Sequence, residues 1–414
     1  MNRWGIFVTV VLVVAAVWTL VIWATEPPLT GGKSASTVAG TSGVKTEPLA
    51  VPTPKAAAER PAVEVVFVLD TTGSMGGLIQ AAKEKIWAIA NTLVSAKPTP
   101  RIKMGLVAYR DRGDVYVTKH TDLTSDLDAV YKELMGFQAA NGGDEPESVN
   151  QALNEAVTQL SWSKDSKTYR VIFLVGDSPP HMDYADDVKY PETCKIAAAA
   201  GITINTVQCG SNSVTPGIWT EIALKSEGRY FRVEQSGSAI LATTPFDDRL
   251  AKLGAELDAT RVYYGTPEER ATLNGSLDVA ASIDADATVT AKARRAGFMA
   301  GAAAEAVLGP RQELIGDLSG GRVKLAELKK DNLPEKMQTM TPAERETFVA
   351  ETQAKRARLQ AEIKDLAAKR QAQIEEEVRK RADKGKESLD YRVYDSIKAQ
   401  AAKKGIEYTD GPAH

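Results

Sequence analysis

The chain has 414 residues, 51 Lys and Arg against 54 Asp and Glu, and 43% hydrophobic residues, enough for one core of ordinary domain size with an appendage. A formal net charge of −3, with no basic patch interleaved with aromatics, gives no case for nucleic acid. The 3 histidines and 2 cysteines form no zinc spacing, and neither a Gly-x-Ser-x-Gly elbow nor a hydrolase order is present near Ser74, so a binding protein is expected, not an enzyme.

Trp4–Ala24 is an apolar or weakly polar run without a charge, long enough to cross a bilayer. Trp23-Ala24 is a poor cleavage site, so residues 1–25 read as an uncleaved anchor, with a cleaved signal as the alternative. Arg3 ahead of the span puts the N-terminus in the cytoplasm by the positive-inside tendency. The expectation is a single-pass membrane protein whose bulk is extracytoplasmic, in the periplasm or at the cell surface. Residues 26–61, rich in Pro, Thr, Ser, Gly and Ala, read as a disordered tether.

Val63–Leu69 is a continuous apolar run, as in a strand buried on both faces of a parallel sheet, and it ends in Asp70-Thr71-Thr72-Gly73-Ser74. Leu78, Ile79, Ala82, Ile86, Ile89 and Leu93 then recur at helical spacing. Ile102–Tyr109 is the next predicted strand, Val115–Thr118 a short edge strand, and Leu127–Leu134 and Val149–Leu160 are helices. Val171–Val175 is a strand running into Gly176-Asp177, followed by a helix over Glu192–Ala200, a strand over Ile202–Val207, Gly217–Lys225 and a strand over Tyr230–Val233. This alternation predicts an α/β domain over residues 62–240, a doubly wound, mostly parallel sheet with flanking helices. In such sheets ligands bind beyond the carboxyl ends of the strands, where strand order reverses. No Gly-x-Gly-x-x-Gly follows the first strand and no Gly-x-x-x-x-Gly-Lys occurs, which disfavours the nucleotide-binding versions.

Asp70, Thr72 and Ser74 supply one carboxylate and two hydroxyls at alternate positions, hard oxygen ligands suited to a small divalent ion such as Mg²⁺. Taken alone, Asp70 reads as a turn or capping residue, and Asp144 and Glu147 as loop and first-turn helix charges. The run Asp70–Ser74 resembles the Asp-x-Ser/Thr-x-Ser signature of von Willebrand factor A (VWA) domains, a likeness that covers about Val63–Glu234. It resembles in particular a membrane-anchored bacterial type. The resemblance implies a Rossmann-like fold and a metal-ion-dependent adhesion site (MIDAS) holding Mg²⁺, or Mn²⁺ or Ca²⁺, that a partner's acidic side chain completes. It also implies that Asp177 is the metal acid at the end of the fourth strand. Where the family's middle loop places a Thr after a Gly pair, this chain has Asp144, and its Asp-x-Pro-Glu spacing is similar to that of integrin β-subunit domains. By that likeness Glu147 is the metal-side acid, with Asp144 as competitor. Met75-Gly76-Gly77 lacks the extra acids that form a second cation site in integrin β domains.

Asp183, Asp186 and Asp187 read as an acidic, solvated loop rather than a calcium site, and His181 as a loop or partner-contact residue near the metal rather than a base. Cys194 and Cys209 fall near the same sheet edge and allow either a disulfide in an oxidising compartment or two buried thiols.

Residues 241–340 read as a mixed, mainly helical region. Thr341-Pro342-Ala343-Glu344 is a helix start, with Thr as cap and Glu reaching back, for a helix running to about Arg381. Leu359, Ile363 and Leu366 follow a coiled-coil spacing that Arg356, Arg370 and Gln373 interrupt, so a self-association helix and a solvated helix packed on its neighbours both stand. Residues 341–414 read either as this one long helix or, with Leu389–Ile406 returning as a second helix, as an antiparallel helical hairpin. The expected function is metal-dependent protein binding or adhesion at the extracytoplasmic face, the other reading being a regulatory adaptor of an AAA+ ATPase complex.

Overall fold

The computed structural model describes residues 60–143, 145–236, 242–308, 312–380, 389–408 and 411–413, all within one compact unit, Val51–His414. Its sheet comprises β1 (Ala62–Asp70), β2 (Arg101–Tyr109), β3 (Thr118–Thr124), β4 (Tyr169–Gly176), β5 (Ile202–Cys209) and β6 (Tyr230–Val233). The strand order is β3-β2-β1-β4-β5-β6, parallel throughout except for β3, which pairs antiparallel with β2. Along β1, Val63, Val65, Phe67 and Leu69 enter one core and Val66 and Val68 the other, which explains why the strand reads as unbroken apolar sequence.

The edge strand differs from expectation. Val115 is 85% exposed in a loop, and pairing begins at Thr118 and continues to Thr124. An edge strand with one open face takes polar residues such as Lys119 and His120, both exposed, so the apolar signal fell short of it.

Helices α1 (Gly76–Val94) and α2 (Leu127–Gly136) cover the first face, and α3 (Val149–Thr158), α4 (Tyr190–Ala199) and α5 (Thr215–Lys225) the second. Cys194 is packed in the second core and Cys209 in the first; both are free, buried thiols. The disulfide alternative is corrected, because the sheet stands between the two sulfurs. Burial pushes the Cys194 thiol up to about 12 and raises that of Cys209 as well.

Beyond the sheet come α6 (Asp247–Asp258), α7 (Pro267–Asp286), α8 (Val289–Met299), three short helices α9 (Glu305–Leu308), α10 (Leu314–Ser319) and α11 (Glu335–Gln338), then α12 (Pro342–Lys380) and α13 (Leu389–Ala401). They form an outer layer in which α8 packs on α1 and α6, α7 on α2, and α12 on α6 and α8, while α13 returns to α1. The expected box at the start of α12 is formed: Thr341 N–H donates to Glu344 Oε2 at 2.7 Å and Glu344 N–H to Thr341 Oγ1 at 3.3 Å.

On α12, Arg356, Leu359, Ile363, Arg370 and Ile374 share the buried stripe. The arginines that break the coiled-coil pattern are therefore seam residues that meet acids of this same chain. Arg356 donates to both oxygens of Glu313, at 2.8 and 2.9 Å, and Arg370 Nε to Asp247 Oδ1 at 2.7 Å. A third cluster ties α2 to α6 and α8: Arg295 bonds Asp128 with two nitrogens, each at 2.6 Å, and Asp258 at 2.6 Å, with Arg261 also touching both acids. From α13, Gln400 exchanges hydrogen bonds with Asn205 of β5 at 3.0 and 2.8 Å and accepts the Tyr169 hydroxyl of β4 at 2.6 Å.

One expectation does not survive. Among the described residues no helix is long and apolar enough to cross a membrane; the longest, α12, carries charged side chains on every turn. The anchor at residues 1–25 and the tether at 26–61, apart from its last residues, lie outside the described residues. The single-pass, extracytoplasmic localisation is accordingly withdrawn.

Candidate functional site

Strand order reverses between β1 and β4, and both strands deliver an acid there: Asp70 is the last residue of β1, and Asp177 follows β4 directly. The two strands approach closely at this level because Gly176 has no side chain. A Cβ at Gly176 would stand 2.3 Å from the Tyr109 hydroxyl, 2.9 Å from Asp70 Cβ and 3.1 Å from Asp70 Oδ2.

The loop after β1 folds its polar side chains back on the strand end. Thr72 donates to Asp70 Oδ1 through its backbone N–H at 2.8 Å and through its hydroxyl at 2.6 Å, and Ser74 Oγ lies 3.4 Å from Thr72 Oγ1. The loop is held by the middle segment: Gly73 N–H donates to Asn141 O at 2.9 Å and Ala140 N–H to Thr71 O at 3.2 Å. Arg110 adds two bonds from its guanidinium, to Thr71 O at 3.1 Å and Gln138 O at 2.7 Å.

Glu147 arrives from the other side. Its backbone N–H donates to Pro179 O and its carbonyl accepts from the His181 N–H, each at 3.0 Å, so the middle loop is stitched to the loop after β4. Thr72 and Glu147 Oε1 both flank Gly142: its Cβ would stand 2.8 Å from Thr72 Cβ and 3.3 Å from Glu147 Oε1. Asp144 lies outside the described residues.

These acids are incompletely satisfied. Asp70 Oδ2, Glu147 Oε2 and the Tyr109 hydroxyl are all buried without a hydrogen-bond partner. Burial is the main cause that pushes the Asp70 carboxyl up to about 7; the charge of Asp177 adds to it and the bonds from Thr72 oppose it. Glu147 is pushed up to about 9, first by burial and then by the charges of Asp70, Asp111, Asp114 and Asp177. The charges that act most strongly on both groups are those of other carboxylates. Among the described residues no three His, Cys, Asp or Glu side chains are gathered as a metal cage, so any cation here would draw on hydroxyls as well as acids.

His181 is buried beside the site rather than in it. Its Nδ1 lies 2.8 Å from Asp183 Oδ1, its Nε2 lies 3.3 Å from Asp111 Oδ2 without the alignment of a hydrogen bond, and its ring stacks on Tyr184 at 4.0 Å. Arg112 sits over the Tyr184 ring and pairs with Asp186 at 2.9 Å and Asp187 at 2.8 Å, so the three acids of that loop have partners within the chain.

Sequence reasoning missed Asp111, which accepts from Ser148 Oγ at 2.7 Å and the Tyr184 hydroxyl at 2.8 Å. The signal was there, since Asp111 closely follows an apolar strand as Asp70 and Asp177 do. Tyr109 and Gln235 were also missed; Gln235 donates to Asp177 Oδ2 at 2.7 Å, and no motif or spacing marks it.

Residues 64–213 match the family profile of the von Willebrand factor A domain, and the chain carries a domain of that kind there. It is similar to a protein of Acanthamoeba polyphaga mimivirus named as an ariadne-like RING finger protein, with 21% identity over 51% of this chain and 22% of that protein. It is also similar to human von Willebrand factor A domain-containing protein 7, with 37% identity over 29% of this chain and 12% of that protein. The chain thus spans less than a quarter of either relative. Among solved structures, the SpRpn10 VWA domain aligns over 42% of this chain and 89% of its own, at 14% identity and a TM-score of 0.33.

Proposed function

We propose that the strand-end site binds a divalent cation such as Mg²⁺, with Mn²⁺ and Ca²⁺ as the other candidates, and uses it to dock an acidic side chain of a protein partner. A VWA domain is in general a protein-interaction module, and the cation gives this one a specific means of capture. The observation that carries the reading is the pair of orphaned buried carboxylate oxygens, Asp70 Oδ2 and Glu147 Oε2, whose carboxyls are raised by burial and by the charges of neighbouring acids. Buried charges persist only when paired or metal-bound.

Thr72 and Ser74 would offer hydroxyl oxygens to the cation, and Asp70, Glu147 and Asp177 would bind it directly or through water, as suits a hard ion that keeps some of its waters. The bound cation supplies positive charge for an incoming carboxylate. The chain's own residues hold the ligands in place and exclude water from their buried sides. Catalysis is not part of this reading: among the described residues the Ser74 hydroxyl has only Thr72 as a hydrogen-bond partner, and the His181 ring is engaged with Asp183 and Tyr184.

Calorimetric titration with MgCl₂ tests the cation, using the intact chain and Asp70→Ala. Saturable binding lost in the variant is expected; equal binding by both overturns the proposal. Capture of a partner in Mg²⁺ that persists unchanged in EDTA would overturn the docking step.

A further inference from the structure

We infer that Gln235 is a positioning residue for this site, its side-chain amide fixing Asp177 and the Ser74 backbone relative to one another. The inference rests on the cation reading above. Gln235 lies just beyond β6, far along the chain from both groups it touches. Its Nε2 donates to Asp177 Oδ2 at 2.7 Å and to the Ser74 carbonyl oxygen at 3.2 Å. Both partners are acceptors only, so the nitrogen end of the amide must face them. The two N–H bonds of one amide thereby join the loop after β1 to the residue after β4, the two segments between which a cation would sit.

The chemistry of the donor matters as much as its position. A carboxylate that ligates a metal needs its orientation fixed by a neighbouring donor. A lysine or arginine at this point would fix Asp177 and also cancel its charge, competing with the cation. The amide orients without neutralising. Asp177 accordingly has donors on both oxygens, Gln235 on Oδ2 and the Ser178 hydroxyl on Oδ1 at 3.2 Å, whereas Asp70 and Glu147 each keep an oxygen bare. Asp177 is thus the pre-set ligand of the group, and Asp70 and Glu147 are the ones whose satisfaction waits on the ion.

Gln235→Met retains length and apolar stem and removes both donors. We expect Mg²⁺ affinity, measured by calorimetric titration of the full chain, to weaken by about 10- to 100-fold, with the melting temperature in EDTA unchanged. Wild-type affinity in Gln235→Met, with Asp70→Ala still abolishing binding, overturns the role of Gln235 and leaves the cation reading intact. A melting transition that falls in EDTA together with the affinity assigns Gln235 to stability and overturns the inference. Absence of saturable Mg²⁺ binding by the unaltered chain overturns both.

Discussion

The outer helical layer and the strand-end site both bury charge, and they treat it in opposite ways. In the helical layer each buried acid meets a guanidinium. Burial alone would raise the carboxyl of Asp258, yet Arg295 and Arg261 hold it below the usual range. Glu313 receives Arg356 on both oxygens and the N–H groups of Val262 and Gly316 besides, at 3.0 and 2.7 Å. At the strand ends the acids meet one another, and their carboxyls rise to about 7 and about 9. The same chain therefore shows that it can build compensating cations where structure requires them. At the strand ends the charges that press on Asp70 and Glu147 are those of other carboxylates, a contrast that supports the proposed cation.

The largest effect that would break this contrast concerns Arg295. Arg295→Met leaves Asp128 and Asp258 buried with Arg261 alone and should cost about 3–5 kcal/mol in urea denaturation. Asp70→Asn, made at the other region, should leave the EDTA-treated protein at least as stable as the original. Equal losses in the two variants would erase the distinction.

A second test is the pH dependence of stability in EDTA. The Asp70 and Glu147 carboxyls titrate higher in the folded chain than in the unfolded one, so between those values the folded state holds more protons and stability falls as pH rises. The contribution should be intact near pH 4 and lost progressively toward pH 9, by a few kcal/mol. Saturating Mg²⁺ should flatten the slope, read as the urea midpoint across that range. A midpoint that climbs with pH in EDTA would be incompatible with orphaned acids.

Gly176→Ala comes next. Its methyl would press on the Tyr109 hydroxyl and the Asp70 stem, costing about 1–3 kcal/mol by overpacking and weakening Mg²⁺ binding in the same titration. Smallest is Lys369→Ala, which opens an exposed pair with Asp365 at 2.7 Å and should change stability by less than about 0.5 kcal/mol.

Much of the sheet was legible because doubly buried strands announce themselves as apolar runs, and Asp70 and Asp177 were legible as acids that end such runs. β3 was displaced because an edge strand has no apolar signature to read. Arg356 and Arg370 looked like interruptions of a seam, since nothing local tells that Glu313 and Asp247 wait on the far side. Gln235 was invisible for the same reason: its role lies in contacts with Ser74 and Asp177, and a glutamine after a strand has no local pattern of its own.

The return of α13 to the sheet bears on how the chain comes into being. Asn205 and Tyr169, buried in strands synthesised early, both bond Gln400, and the Ala413 N–H bonds Thr92 Oγ1 across 321 positions. On the ribosome, Asn205 and Tyr169 must wait without Gln400 while everything from Val233 to Leu389 is translated, on the order of ten seconds or more at about 5–20 residues per second. A nascent chain released after β6 would lack the Gln400 amide for both. Truncation before α13 should consequently leave the buried polar groups of Asn205 and Tyr169 without this partner, read as a lowered urea midpoint.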